Sequence, residues 1–164
     1  MFALYKGKVY QASNFMGRWY LATDRQESEA LGFVRRTPSR YYLALKNLSE
    51  VDELYDVQAY VSFNTGMEGV PTEWEISPAF DTVQEGCIKL WHVGDRIPGW
   101  ISPEPAVWFR YIPFNEIEKA WIVKTDAKTK ESTYAEVDTA DLKVLCNVEA
   151  LGELAQKYIR KKAE

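Results

Sequence analysis

Polar and apolar residues alternate along Lys8-Val9-Tyr10-Gln11-Ala12, the period of a strand with one covered face. Arg18–Ala22 and Tyr41–Leu45 are dense in aromatic and aliphatic side chains and read as further strands. Turn chemistry separates them at Lys6-Gly7, at Asn14 through Gly17 and at Thr37-Pro38-Ser39. The polar stretch from Thr23 to Glu29 reads as the widest loop of this region. Leu48, Val51 and Leu54 recur every three residues and predict one short helical or 3₁₀ turn before a strand from Tyr55 to Phe63.

The same plan then recurs, with strands predicted at Glu73–Ser77, Cys87–Val93, Trp108–Ile112 and Trp121–Lys124. Aligning Tyr10 with Trp74 also superimposes Ser13 on Ser77, and Gly17-Arg18-Trp19-Tyr20-Leu21 matches Gly86-Cys87-Ile88-Lys89-Leu90. Gly32-Phe33-Val34 faces Gly99-Trp100-Ile101, and Leu48 through Val57 matches Phe114 through Val123. Four anchors in one order predict a duplicated domain rather than a short-period solenoid. Five or six short strands with a helical turn before the last is the plan of an SH3-like or Tudor-like barrel. The expected fold is therefore mainly β: two tandem SH3-like or Tudor-like barrels, 1–62 and 63–125, packed together. Each has about 60 residues, near the lower limit for independent folding. Prolines in Ser102-Pro103-Glu104-Pro105 suit a turn or a sheet edge.

Beyond the repeat, residues 126–164 predict a strand from Ser132 to Val137 and a helix from Val148 to about Lys162. Asn147 suits an N-cap, Glu149 the first turn, and Arg160, Lys161 and Lys162 the C-terminal end of the dipole. Val148, Leu151, Leu154, Ala155, Tyr158 and Ile159 form one apolar stripe, so the helix is expected to act as a lid over a barrel side.

Composition narrows the function classes. With 164 residues, 46% of them hydrophobic and 14% aromatic, the chain can bury a core and lacks a disordered profile. There is no apolar run long enough to span a membrane and no signal-peptide pattern at Met1 to Lys8, which points to the cytoplasm. Cys87 and Cys146 are widely separated and read as reduced, buried thiols; with one histidine, His92, they make a zinc site improbable. No phosphate loop, nucleophile elbow or dinucleotide fingerprint occurs. Glu73 and Glu75 share a strand face and could serve as acid and base, although a solvated face is the simpler reading. The chain is accordingly read as no enzyme, with no cofactor.

Charge is uneven. The net −4 resides in residues 63–126, where ten acidic residues stand against five basic ones, a balance of −5. That surface would repel nucleic acid and attract a basic protein, unless the charge is only solubilising. The acidic candidates are Glu68, Glu73, Glu75, Asp81 and Glu85, with Trp74 and Phe80 as apolar anchors. A second reading uses the surplus of aromatics: Tyr41, Tyr42 and Tyr55, with Trp100, Trp108 and Trp121, as a groove for a proline-rich or methylated cationic peptide, against plain core packing. Arg35, Arg36 and Arg40 could touch phosphate, or be solvated around a turn.

Lys6 through Ser13, the acidic Ser49 through Tyr55 turn and a related second half resemble short acidic immunity-type proteins of Gram-positive bacteria, over residues 1–125. The resemblance implies a non-enzymatic binder that neutralises one protein target, such as a basic toxin domain. It carries no site residues with it.

Overall fold

Alternating strands joined by two-residue turns can only fold back on themselves, and such hairpins dominate the structure, a computed structural model that describes residues 1–160. Met16 and Gly17 at one turn, and Glu85 and Gly86 at another, all lie in the left-handed region (φ 51°, 81°, 49° and 76°). Left-handed geometry at both central residues is the type I′ hairpin, whose twist matches that of the flanking strands. Glycine at the second position makes it accessible at low cost.

The chain divides into two compact units, Met1–Val57 with Lys124–Thr133, and Gln58–Val123 with the segment from Tyr134 onward. In the first, β1 (Phe2–Tyr5), β2 (Lys8–Phe15), β3 (Arg18–Thr23), β4 (Val34–Thr37), β5 (Arg40–Ala44) and the beginning of β6 (Glu53–Phe63) form an antiparallel sheet. Its order is β6-β1-β2-β3-β5-β4. The inward side chains Ala3, Tyr5, Tyr10, Ala12, Leu21, Phe33, Tyr41 and Leu45 make the core. Tyr10 stacks on Phe33 at 4.9 Å and meets Tyr5 edge-on at 6.2 Å. The predicted loop after Thr23 contains a 3₁₀ turn, Gln26–Leu31, closed by Gly32. This unit also buries a charge pair, Lys124 Nζ to Glu53 Oε2 at 2.5 Å, with the ammonium over the Tyr55 ring.

The second unit has two sets of strands. β7 (Glu73–Ile76) pairs with the later half of β6, which continues through β12 (Ile117–Asp126) to β13 (Ser132–Glu136). Separately, β8 (Thr82–Gln84), β9 (Cys87–Val93), β10 (Ile101–Glu104) and β11 (Val107–Pro113) form a four-stranded sheet in the order β10-β11-β9-β8. Ile88, Leu90 and Ile112 are buried in it, and Pro103 falls on the edge strand β10, where a missing N–H costs no ladder bond.

The helix α1 (Val148–Tyr158) buries Leu151, Gly152, Leu154 and Ala155, while Val148 is exposed. Asn147 caps it, accepting from the N–H groups of Glu149 and Ala150 at 3.0 and 3.2 Å. It ends a residue before Ile159; Lys161 and Lys162, expected within it, lie outside the described residues. Tyr158 donates from its hydroxyl to Asp141 at 2.6 Å and accepts from the Asp138 N–H, tying the helix to the 3₁₀ turn Thr139–Val144.

The architecture is thus mainly β with a C-terminal helix. Both sheets are open rather than closed barrels, each strand order ending at a strand with one neighbour.

Candidate functional site

Strand alternation decides which acidic residues can act together. β7 runs antiparallel to β6 with Glu75 opposite Tyr60 and Glu73 opposite Ser62. Glu73 and Glu75 therefore share one face with Gln58, Tyr60 and Ser62, while Trp74 and Ile76 project to the other. On that shared face Tyr60 stacks on Trp121 at 5.4 Å, nearly parallel, and Trp121 meets Tyr134 at 6.4 Å. An aromatic ladder thus crosses β6, β12 and β13 beside two exposed carboxylates.

Polar contacts order this face. Tyr60 donates to Gln58 Oε1 at 3.2 Å, and Gln58 Nε2 donates to Glu75 at 3.4 Å. Burial, with the Glu75 charge, pushes the Tyr60 hydroxyl above its ordinary pKa. The Lys119 ammonium stands over the rings of Trp121 and Tyr134 at 5.6 and 5.1 Å. A hydrogen bond to Tyr134, with Glu136 and Glu73 nearby, raises its pKa and keeps it charged. An open hollow of about 360 Å³ is lined by Lys119, Glu118, Glu136 and Asp138 among others. Carboxylates outnumber the single ammonium there, so the hollow favours cations by charge, while the Trp121 and Tyr134 rings already meet the Lys119 ammonium.

The other predicted residues scatter. Asp81 is buried and cannot form part of an exposed acidic face; its two oxygens accept from the Ser77 and Trp91 N–H groups, both at 2.8 Å. Burial raises its pKa, and the two N–H groups oppose that. Trp74 does not anchor the Glu73 and Glu75 face, because it lies on the reverse side, 5.0 Å from Trp100, donating to the Pro71 carbonyl. Glu68 is exposed in the loop before β7, Glu85 in the β8–β9 turn, and Phe80 is 69% exposed after β7.

The supposed aromatic groove is not assembled in either unit. Tyr41 and Tyr55 are core residues, and Tyr42, next along β5, points to the opposite face from Tyr41. Trp100 is buried against Trp74, and Trp108 donates to the Gly94 carbonyl. Trp121 alone of this set belongs to the ladder. Sequence reasoning missed Tyr60, Lys119 and Tyr134. Their period-two spacing with Gln58, Trp121 and Glu136 was available, but their meeting depends on long-range pairing.

His92 sits edge-on to Trp74 and Trp100 at 6.2 and 6.5 Å. Cys87 and Cys146 are free and half-buried rather than fully buried, and burial with the Asp81 charge pushes the Cys146 thiol up to about 12. Arg35 donates to the carbonyls of Thr37 and Pro38, and Arg40 to Gln11 Oε1. Among the described residues no three or more His, Cys, Asp or Glu side chains are grouped to hold a metal ion, and no helix is long and apolar enough to cross a membrane. No family model matches the chain, and no significant match occurs among curated proteins or solved structures.

Proposed function

We propose that this protein is a non-enzymatic binding module that inhibits a basic protein partner, in the manner of an immunity protein or antitoxin, through the face of β7, β6, β12 and β13. The observation that carries the reading is the ladder of Tyr60, Trp121 and Tyr134 set beside Glu73 and Glu75. The carboxylates would speed encounter and select cationic partners, while the partly exposed tyrosine rings supply apolar contact once the complex forms. The balance of −5 over residues 63–126 favours a basic protein over nucleic acid.

A duplicated small β-unit of SH3-like or Tudor-like type, opened rather than closed, would fit this role. Its support is the shared order β2-β3-β5-β4 and β8-β9-β11-β10. Affinity capture from the native organism with the parent and a Glu73→Lys/Glu75→Lys variant tests the function. A basic protein retained by the parent, lost by the folded variant, and inhibited when recombined with the parent supports the proposal. Equal retention by both proteins, or retention without inhibition, contradicts it.

A further inference from the structure

The second sheet carries a face of a different character. β9 and β11 pair with Lys89 opposite Tyr111, Trp91 opposite Phe109 and Val93 opposite Val107. Alternation puts all six on one side of the sheet, opposite the buried Ile88, Leu90 and Ile112. Val93 is 76% exposed and Tyr111 42%, while Ile101 on β10, across from Phe109, is 56% exposed. A cleft of about 500 Å³ at one end is lined by Phe80, Trp91, Val93 and Val107 together with Asp81 and Glu104, so the apolar side chains of a partner suit that end and its carboxylate the Lys89 end. Contiguous apolar exposure of this kind marks an interaction site.

Two charges stand on the strand ladder of this face, Glu104 across from Val107 at one end and Lys89 across from Tyr111 at the other. Lys89 Nζ lies 4.5, 4.4 and 5.3 Å from the ring centres of Trp91, Phe109 and Tyr111. It makes no ion pair among the described residues. The negative faces of these rings are therefore already occupied by a cation, and a partner's cation would meet repulsion. A carboxylate would instead find a charged donor with reduced access to water, where such a hydrogen bond is strong. The rings are tilted by 45° and 88° to one another at 5.0 and 5.8 Å. Such crevices suit aliphatic and aromatic side chains better than a run of parallel stacked bases.

We propose that this face docks a protein segment carrying a carboxylate between apolar or aromatic side chains, with Lys89 as the pairing cation. The assignment is independent of the acidic face on β7 and its neighbours, and the charge it selects is opposite.

The test uses three capped pentapeptides with a central aspartate, asparagine or lysine between phenylalanine and leucine residues, titrated into the ¹⁵N-labelled protein. The aspartate peptide should shift the signals of residues 89–93 and 107–111 and bind about fivefold more tightly than the asparagine peptide. That preference should vanish in Lys89→Met, which keeps the apolar stem and whose remaining spectrum reports its fold. Equal or tighter binding of the lysine peptide, a preference that survives Lys89→Met, or no shifts on this face overturns the proposal. So do shifts there caused by a thymidine oligonucleotide, or by raising the concentration of the protein alone, which would indicate nucleic acid or a second copy.

Discussion

The sheets β2-β3-β5-β4 and β8-β9-β11-β10 run the same course with different outer faces. Each begins with a hairpin closed by a left-handed pair ending in glycine, Met16-Gly17 and Glu85-Gly86. The register slips in the same strand pair, between Arg35 and Thr37 in one and between Ile101 and Glu104 in the other. A 3₁₀ turn then leads into a long strand, at Leu48–Glu50 and at Phe114–Glu116. Inward positions match as well: Leu21 and Leu90 are buried, as are Phe33 and Trp100. Outward, however, β3 and β5 carry Tyr20, Ala22, Arg40 and Tyr42, with Arg40 held by Gln11, whereas β9 and β11 carry Lys89, Trp91, Val107 and Phe109. Turn geometry and inward volume are enough to specify such a ladder, which leaves the outer face free to vary in chemistry.

The largest effect should break the comparison, because it rests on a feature of the first unit alone. Lys124→Met leaves Glu53 buried without its cation, both side chains being less than 10% exposed. Chemical denaturation should show a loss of about 3–5 kcal/mol. A loss below about 1 kcal/mol would mean that water reaches Glu53 and that the pair is not a buried one. Next, Leu21→Ala and Leu90→Ala should each cost about 2–5 kcal/mol, since each removes a fully buried side chain at an equivalent position. A large cost at one and none at the other would undo the equivalence.

A finer probe is the hairpin turn. A Cβ at Gly17 or Gly86 meets nothing within 4 Å, so Gly→Ala at either site tests only the left-handed backbone. Each should lose about 1 kcal/mol, and by similar amounts. Unequal values would show that the two turns differ in strain.

The smallest effect concerns acid. Hydrogen bonds from Lys157 and Tyr158 hold the Asp141 carboxyl below its usual range. An acid whose pKa is depressed by folding stabilises the fold above its unfolded pKa, and that contribution disappears as pH falls through the folded value. The stability gap between parent and Asp141→Asn should thus be widest near neutrality and shrink below about pH 4. A gap independent of pH would remove the charge from the account.

What was legible follows from how local each signal is. Strands at Lys8–Ala12, Arg18–Ala22 and Cys87–Val93, the Asn147 cap and the turn after Asn47 all rest on spacings within a few residues, and each has its counterpart in the structure. β4 goes unpredicted and β10 stays open between a turn and a sheet edge, since all their residues are exposed and show no inward face, and β8 has only three residues. The separation of Trp74 from Glu73 and Glu75 follows from period two and could have been read directly. The inward turn of Asp81 could not, since it answers the N–H of Trp91, ten residues away on another strand. The pairing of Tyr60 with Trp121 likewise depends on which strands become neighbours.

The binding face is the central functional claim, and amide hydrogen exchange of the protein with and without its captured partner tests it most directly. Protection should rise at residues 58–62, 73–75, 119–121 and 134–136, and should diminish as salt screens the carboxylates. Protection confined to other strands, with these segments unchanged, would contradict the account.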